Sequence, residues 1–117
     1  MFFAYPEDWH KKESPNGFGP IHLVWGERAM VATFTIPANQ PASPLHTHPH
    51  EQLGIVLEGE MTLTVGDEVR TLKQGDAYLA PPNVPHGRSA ASKVQIRMLE
   101  VFSPPKEDFM KPDSPPK

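Results

Sequence analysis

The sequence predicts an all-β domain, a sandwich or barrel of short strands, and three observations carry that prediction. Apolar and polar residues alternate with period two in several short runs, turn-forming residues separate the runs, and no stretch sustains the 3.6-residue period of an amphipathic helix. Fifteen prolines spread over 117 residues add to the case, because they mark turns, strand edges and loops rather than one repeat. The length suits a single domain with one core, residues 1–117.

The elements follow in order. Residues 1–19 form a polar, proline-containing lead-in, although its aromatic start "MFFAYPEDW" reads as strand-like and able to add to a partner's sheet. "IHLVW" places Ile21, Leu23 and Trp25 on one face, and "MVATFTI" turns Met30, Ala32, Phe34 and Ile36 inward. "PANQPASP", 37–44, is a loop. Strands are predicted at 53–58 and 61–65, where Met61, Leu63 and Val65 alternate with Thr62 and Thr64. Gly66-Asp67 then makes a hairpin with "EVRTL". "KQGD" is a turn, "AYLA" a short strand and "PPNVPHG" a stiff loop. The last strand is "VQIRMLEVF", 94–102, with Val94, Ile96, Met98, Glu100 and Phe102 facing inward, and the proline-rich tail 104–117 frays at its end.

Composition narrows the partners. The net charge is −3 and no basic run interleaves with aromatics, so a nucleic-acid footprint is missing and a small molecule is the expected ligand. Without cysteine there is neither disulfide nor thiolate site, so any metal must be held by nitrogen or oxygen. The start lacks the pattern of a signal peptide and no run approaches the roughly 20 apolar residues of a membrane span, so a cytoplasmic protein without membrane contact is expected.

The chemistry concentrates in "PLHTHPHEQLGIVLEG", 44–59. If the segment is extended, His46, His48, His50 and Gln52 share one face and Glu51 points away. A second cluster runs from Gly75 through "PPNVPHG" to His86, where Pro81, Pro82 and Pro85 fix the loop and leave His86 little freedom to lose on binding a ligand. Together these residues resemble the two motifs of the cupin superfamily: His46, His48, Gln52 and Gly59, then Gly75, Pro81, Asn83 and His86, separated by a short stretch. Three glycine or asparagine positions of those motifs are replaced by Gln40, Asn83 and Ala90; asparagine at 83 is able to take the left-handed turn conformation.

The resemblance implies a double-stranded β-helix, or jelly-roll barrel, over about residues 20–103. It also implies one divalent transition metal on His46, His48, Gln52 and His86. Nickel, iron, manganese, zinc, cobalt and copper all suit such ligands. An acid in place of Gln52 would halve the net charge of the site; the amide leaves the full +2, which favours an anionic substrate. His50 reads as exposed or as a support for the ligands. Small cupins commonly pair, so a homodimer is expected.

Parity places Glu100 on the apolar side of the last strand, where desolvation would raise its pKa toward values useful for proton transfer. The ending "EVFSPPKEDFM" resembles that of small cupins of pectin and alginate breakdown, which linearise unsaturated monouronates to open-chain keto acids. By that resemblance Glu100 is catalytic, while Phe102 and Lys106 contact the substrate. Asp and Arg are more usual than Glu100 and Lys106, and Lys offers a point charge where Arg would grip a carboxylate bidentately. Two other activities fit the same motifs: metal-dependent dioxygenation of a small molecule, and sugar binding without catalysis.

Overall fold

A computed structural model describes residues 1–111. Nine strands form two antiparallel sheets: β1 (His10–Glu13), β2 (Pro20–Trp25), β3 (Met30–Ile36), β4 (Glu51–Glu58), β5 (Glu60–Val65), β6 (Glu68–Lys73), β7 (Ala77–Ala80), β8 (His86–Arg88) and β9 (Ile96–Ser103). A single helical turn, α1 (Glu107–Met110), follows. The larger sheet runs β1-β2-β3-β9-β4-β7 and the smaller β6-β5-β8. This is the all-β jelly roll that the sequence predicts.

The alternation read from the sequence is the alternation of burial. Ile36, Val56, Met61, Leu63, Ile96 and Met98 pack between the sheets, and Ile21, Leu23, Met30, Ala32 and Phe102 form a second cluster. On β4 the odd positions face out, leaving Leu53, Ile55 and Leu57 exposed beside Leu79 of β7, while Gln52, Gly54 and Val56 face in. Among the described residues no helix is long and apolar enough to cross a membrane.

Three local readings need correction. Val94 is 45% exposed rather than inward, because β9 begins two residues later at Ile96. The strand of the lead-in is not "MFFAYPEDW" but His10–Glu13, which pairs with β2. Pro6 sits in a turn closed by the Asp8 amide on the Ala4 carbonyl, so the aromatic residues before it are not extended into a sheet. The stiff loop ends in a strand, β8, since His86–Arg88 has β5 to pair with. The tail begins with α1, and its end, expected to fray, falls in residues 112–117, outside the described residues.

Gly87 is what lets β8 approach the loop that leads into β4. A Cβ there would lie 2.8 Å from the Pro44 carbonyl oxygen, a backbone atom with no freedom to swing aside. We expect Gly87→Ala to cost about 1–3 kcal/mol, the range for forcing extra volume into a packed site. Urea denaturation of the two proteins would measure it.

Candidate metal centre and acid pocket

The two histidine clusters are joined by backbone before any side chain is considered. His46 and His86 exchange reciprocal N–H···O=C bonds of 3.0 and 3.1 Å, and the Asn83 amide donates to the His48 carbonyl at 2.8 Å. Asn83 has φ of 64°, the left-handed conformation that the sequence comparison with glycine requires of it. Residues 46–50 are therefore not a continuous strand; they are a bridge followed by a bend, and β4 proper starts at Glu51.

Each imidazole is oriented by its Nδ1. His46 Nδ1 donates to the Pro44 carbonyl at 3.3 Å, His48 Nδ1 to the His50 carbonyl at 3.1 Å, and His86 Nδ1 to the Val84 carbonyl at 2.9 Å. With Nδ1–H committed in all three, each Nε2 carries a lone pair. The available ligand atoms of the three rings all lie within 4.8 Å of one another. His86 is 2% exposed and its Nε2 has no hydrogen-bond partner. Desolvation lowers the pKa of both His48 and His86, which keeps them in the neutral, ligating form.

Gln52 is brought to the same place by β4. It is 5% exposed, and its Oε1 faces His48 Nε2 at 2.8 Å. An amide oxygen opposite an imidazole lone pair sets two acceptors against each other, and two further Nε2 lone pairs point at the same spot. A cation satisfies all four acceptors, so the residues fit a bound divalent metal. Glu51, its neighbour, points out to solvent, as parity requires.

His50 is buried rather than exposed. Its carbonyl orients His48, and its Nε2 lies 3.1 Å from Glu107 Oε1, tying the metal-binding loop to α1. That contact holds the exposed Glu107 carboxyl below its usual range.

Behind Gln52 lies an acid. Glu100 faces inward on β9 and is partly buried; desolvation pushes its carboxyl up, against the opposing pull of Tyr78, Gln52 and Lys106. Its Oε2 accepts a short hydrogen bond from the Tyr78 hydroxyl and another, 2.9 Å long, from Gln52 Nε2. Gln52 Nε2 also donates to the Tyr78 hydroxyl at 2.6 Å. The register explains the meeting: Gly54 pairs with Tyr78 on one side and Glu100 on the other, and a Cβ at position 54 would lie 2.2 Å from the Tyr78 ring.

A cavity of about 250 Å³ opens from this cluster into the barrel, bordered by His46, His86, Gln52 and Glu100 and by apolar residues such as Phe34, Met61 and Met98. Lys106 and Phe102 line it as well. The Lys106 ammonium lies 4.5 Å from the Phe109 ring centre and 5.3 Å from that of Phe102, contacts that hold it by cation–π attraction. All seven residues singled out from the sequence thus border or approach one site. Tyr78 and Phe109 were not singled out. Tyr78 was legible in retrospect from its parity with buried Ala80, whereas Phe109 depends on the turn of α1, for which the sequence offers no periodic signal.

A small antiparallel barrel with three convergent histidines and an amide at its mouth is the architecture of a cupin. The chain belongs to that family: the cupin domain model, Cupin_2, matches residues 32–102. It is 32% identical over 104 residues to the H2HPP isomerase of Bacillus subtilis, covering 86% of this chain but only 41% of that protein. It is 29% identical over 89 residues to the pectin degradation protein KdgF of Dickeya dadantii (strain 3937), covering 75% of this chain and 79% of that one. Among solved structures, an RmlC-like cupin from Shewanella frigidimarina NCIMB 400 superposes with a TM-score of 0.79 at 26% identity, covering 93% of this chain and 96% of its own.

We expect the purified protein to take up about one divalent ion per chain, read by plasma mass spectrometry, and His86→Ala to lose it. An ion at 100 times its dissociation constant should stabilise the wild type by about 2.7 kcal/mol in a thermal shift and leave the variant unmoved.

Proposed function

We propose that this cupin is a metal-dependent isomerase of a small anionic sugar acid, opening the ring of an unsaturated monouronate to an open-chain keto acid. The observation that supports this best is Glu100, a desolvated acid joined to Gln52 inside a cavity that also carries Lys106. The relatives named for pectin degradation and for isomerisation point the same way, although the chain spans only 41% of the second.

His46, His48, Gln52 and His86 would hold one divalent transition ion, which when bound supplies Lewis-acid polarisation of substrate oxygens. Lys106, fixed over two aromatic rings, attracts the substrate carboxylate, and Phe102 offers an apolar wall. The isomerisation breaks one carbon–oxygen bond and relocates one proton, with no net change in composition. The anomeric hydroxyl loses its proton, the bond from the anomeric carbon to the ring oxygen breaks to give an aldehyde and an enol, and the enol carbon gains a proton as its neighbour becomes a ketone. No oxidant or co-reactant is consumed. Glu100, with its pKa raised, is suited to accept the first proton and return it.

The test is an assay on unsaturated galacturonate at saturating metal, following loss of the ultraviolet absorbance of the conjugated double bond. Glu100→Gln should lower kcat on the order of 10²–10⁴-fold. Lys106→Met should raise KM by about ten-fold or more, the loss of one charge-assisted contact. A metal-saturated Glu100→Gln protein that turns over at the wild-type rate refutes the assignment.

A further inference from the structure

The Gln52 amide has its two ends committed to different tasks. Its nitrogen end faces the acid behind it, with Nε2 donating toward the adjacent pair of oxygens formed by the Tyr78 hydroxyl and Glu100 Oε2. Oε2 accepts from both Tyr78 and Gln52, so the nitrogen end of the amide is the end that must face it. The carbonyl oxygen is thereby left on the side of His48. The reversed amide would put its oxygen against a carboxylate oxygen and its N–H groups toward the metal-binding imidazoles.

We propose that Tyr78 and Glu100 are positioning residues for the metal centre: meeting over the bare backbone of Gly54, they fix the Gln52 amide with its oxygen toward the three histidines. This rests on the reading of Gln52 as the fourth ligand and extends it to residues outside the ligand set. It also accounts for why position 52 is an amide. A carboxylate there would set one of its oxygens where Nε2 now stands, 2.9 Å from Glu100 Oε2, and two acids that close cannot both be ionised without strong repulsion. Gly54 belongs to the same device. Any side chain at 54 enters the space of the Tyr78 ring and parts Tyr78 from Glu100.

The experiment is a calorimetric titration of Co²⁺ into the metal-stripped full chain, with the visible spectrum of the bound ion recorded for each variant. Tyr78→Phe and Glu100→Gln should each weaken Co²⁺ binding by about ten-fold or more and change the spectrum, since groups that orient ligands typically carry 10–100-fold in affinity. Their combination should lose no more than the larger single loss, because the pair acts on one amide. The exchange variant Gln52→Glu/Glu100→Gln, in which an amide at 100 donates to a carboxylate at 52, should regain the affinity lost in Glu100→Gln. Melting temperatures of the metal-free proteins separate these effects from unfolding, and Tyr78→Phe with the exchange variant decide the question if Glu100→Gln does not fold. Wild-type affinity and spectrum in Tyr78→Phe, or no recovery in the exchange variant, overturns the proposal alone. Failure of the wild type to bind Co²⁺ overturns the metal-centre reading together with it.

Discussion

The register of β4 between β9 and β7 is the constraint on which the rest of the site depends. In the central row Gly54 stands between Tyr78 and Glu100, and in the next row Gln52 stands between Ala80 and Phe102. A slip of one residue would turn every one of these side chains to the other face of the sheet. It would bring Glu51 and Leu53 inside and send Gln52 and Gly54 to solvent. The same pairing that buries Val56 and Met98 therefore places the amide and the acid, and core packing and site geometry are one selection rather than two.

The histidines are held by a different principle. None of the three relies on a carboxylate for orientation; each Nδ1 is bound to a backbone carbonyl two residues away. A neutral carbonyl fixes the tautomer without adding negative charge near the ion. Combined with a neutral amide at 52, this leaves Glu100, Lys106 and Arg88 as charged side chains lining the cavity. Lys106 raises the cationic character of the mouth, and its charge also contributes to lowering the pKa of His48 and His86.

Period-two reading recovered what depends on local alternation. The faces of β2, β3, β4 and β9 and the inward position of Glu100 follow from parity, and the resemblance to the cupin motifs implies the meeting of His46, His48 and His86. What it missed depends on contacts between segments distant in the chain. β8 is a strand because β5 is there to pair with it, and His50 finds its side-chain partner in Glu107 of α1, 57 residues later. Val94 failed for a related reason: alternation continues past the point where a partner strand is available, so it does not mark where β9 begins. Tyr78 shares parity with Ala80, but only the burial of Ala80 in the folded sheet makes that alternation in a four-residue strand meaningful, and its counterpart Gly54 carries no side chain to attract notice.

The acid behind the amide is also a point of tension in the fold. An inward carboxyl loses hydration, and that loss pushes its pKa up against the pull of Tyr78, Gln52 and Lys106. Leucine at position 100 would pack against the neighbouring apolar residues with no such penalty, and the four-strand row β3-β9-β4-β7 would lose nothing in pairing. Instead the chain surrounds the carboxyl with a phenol, an amide and, across the cavity, an ammonium, and it removes a side chain at 54 to let the first two reach it. Such an arrangement is difficult to account for by stability, because polar groups in an apolar lining rarely improve on well-packed hydrophobic ones. It is intelligible if the acid is retained for chemistry, poised one amide away from a metal, where it orients a ligand at rest and exchanges a proton when substrate is present.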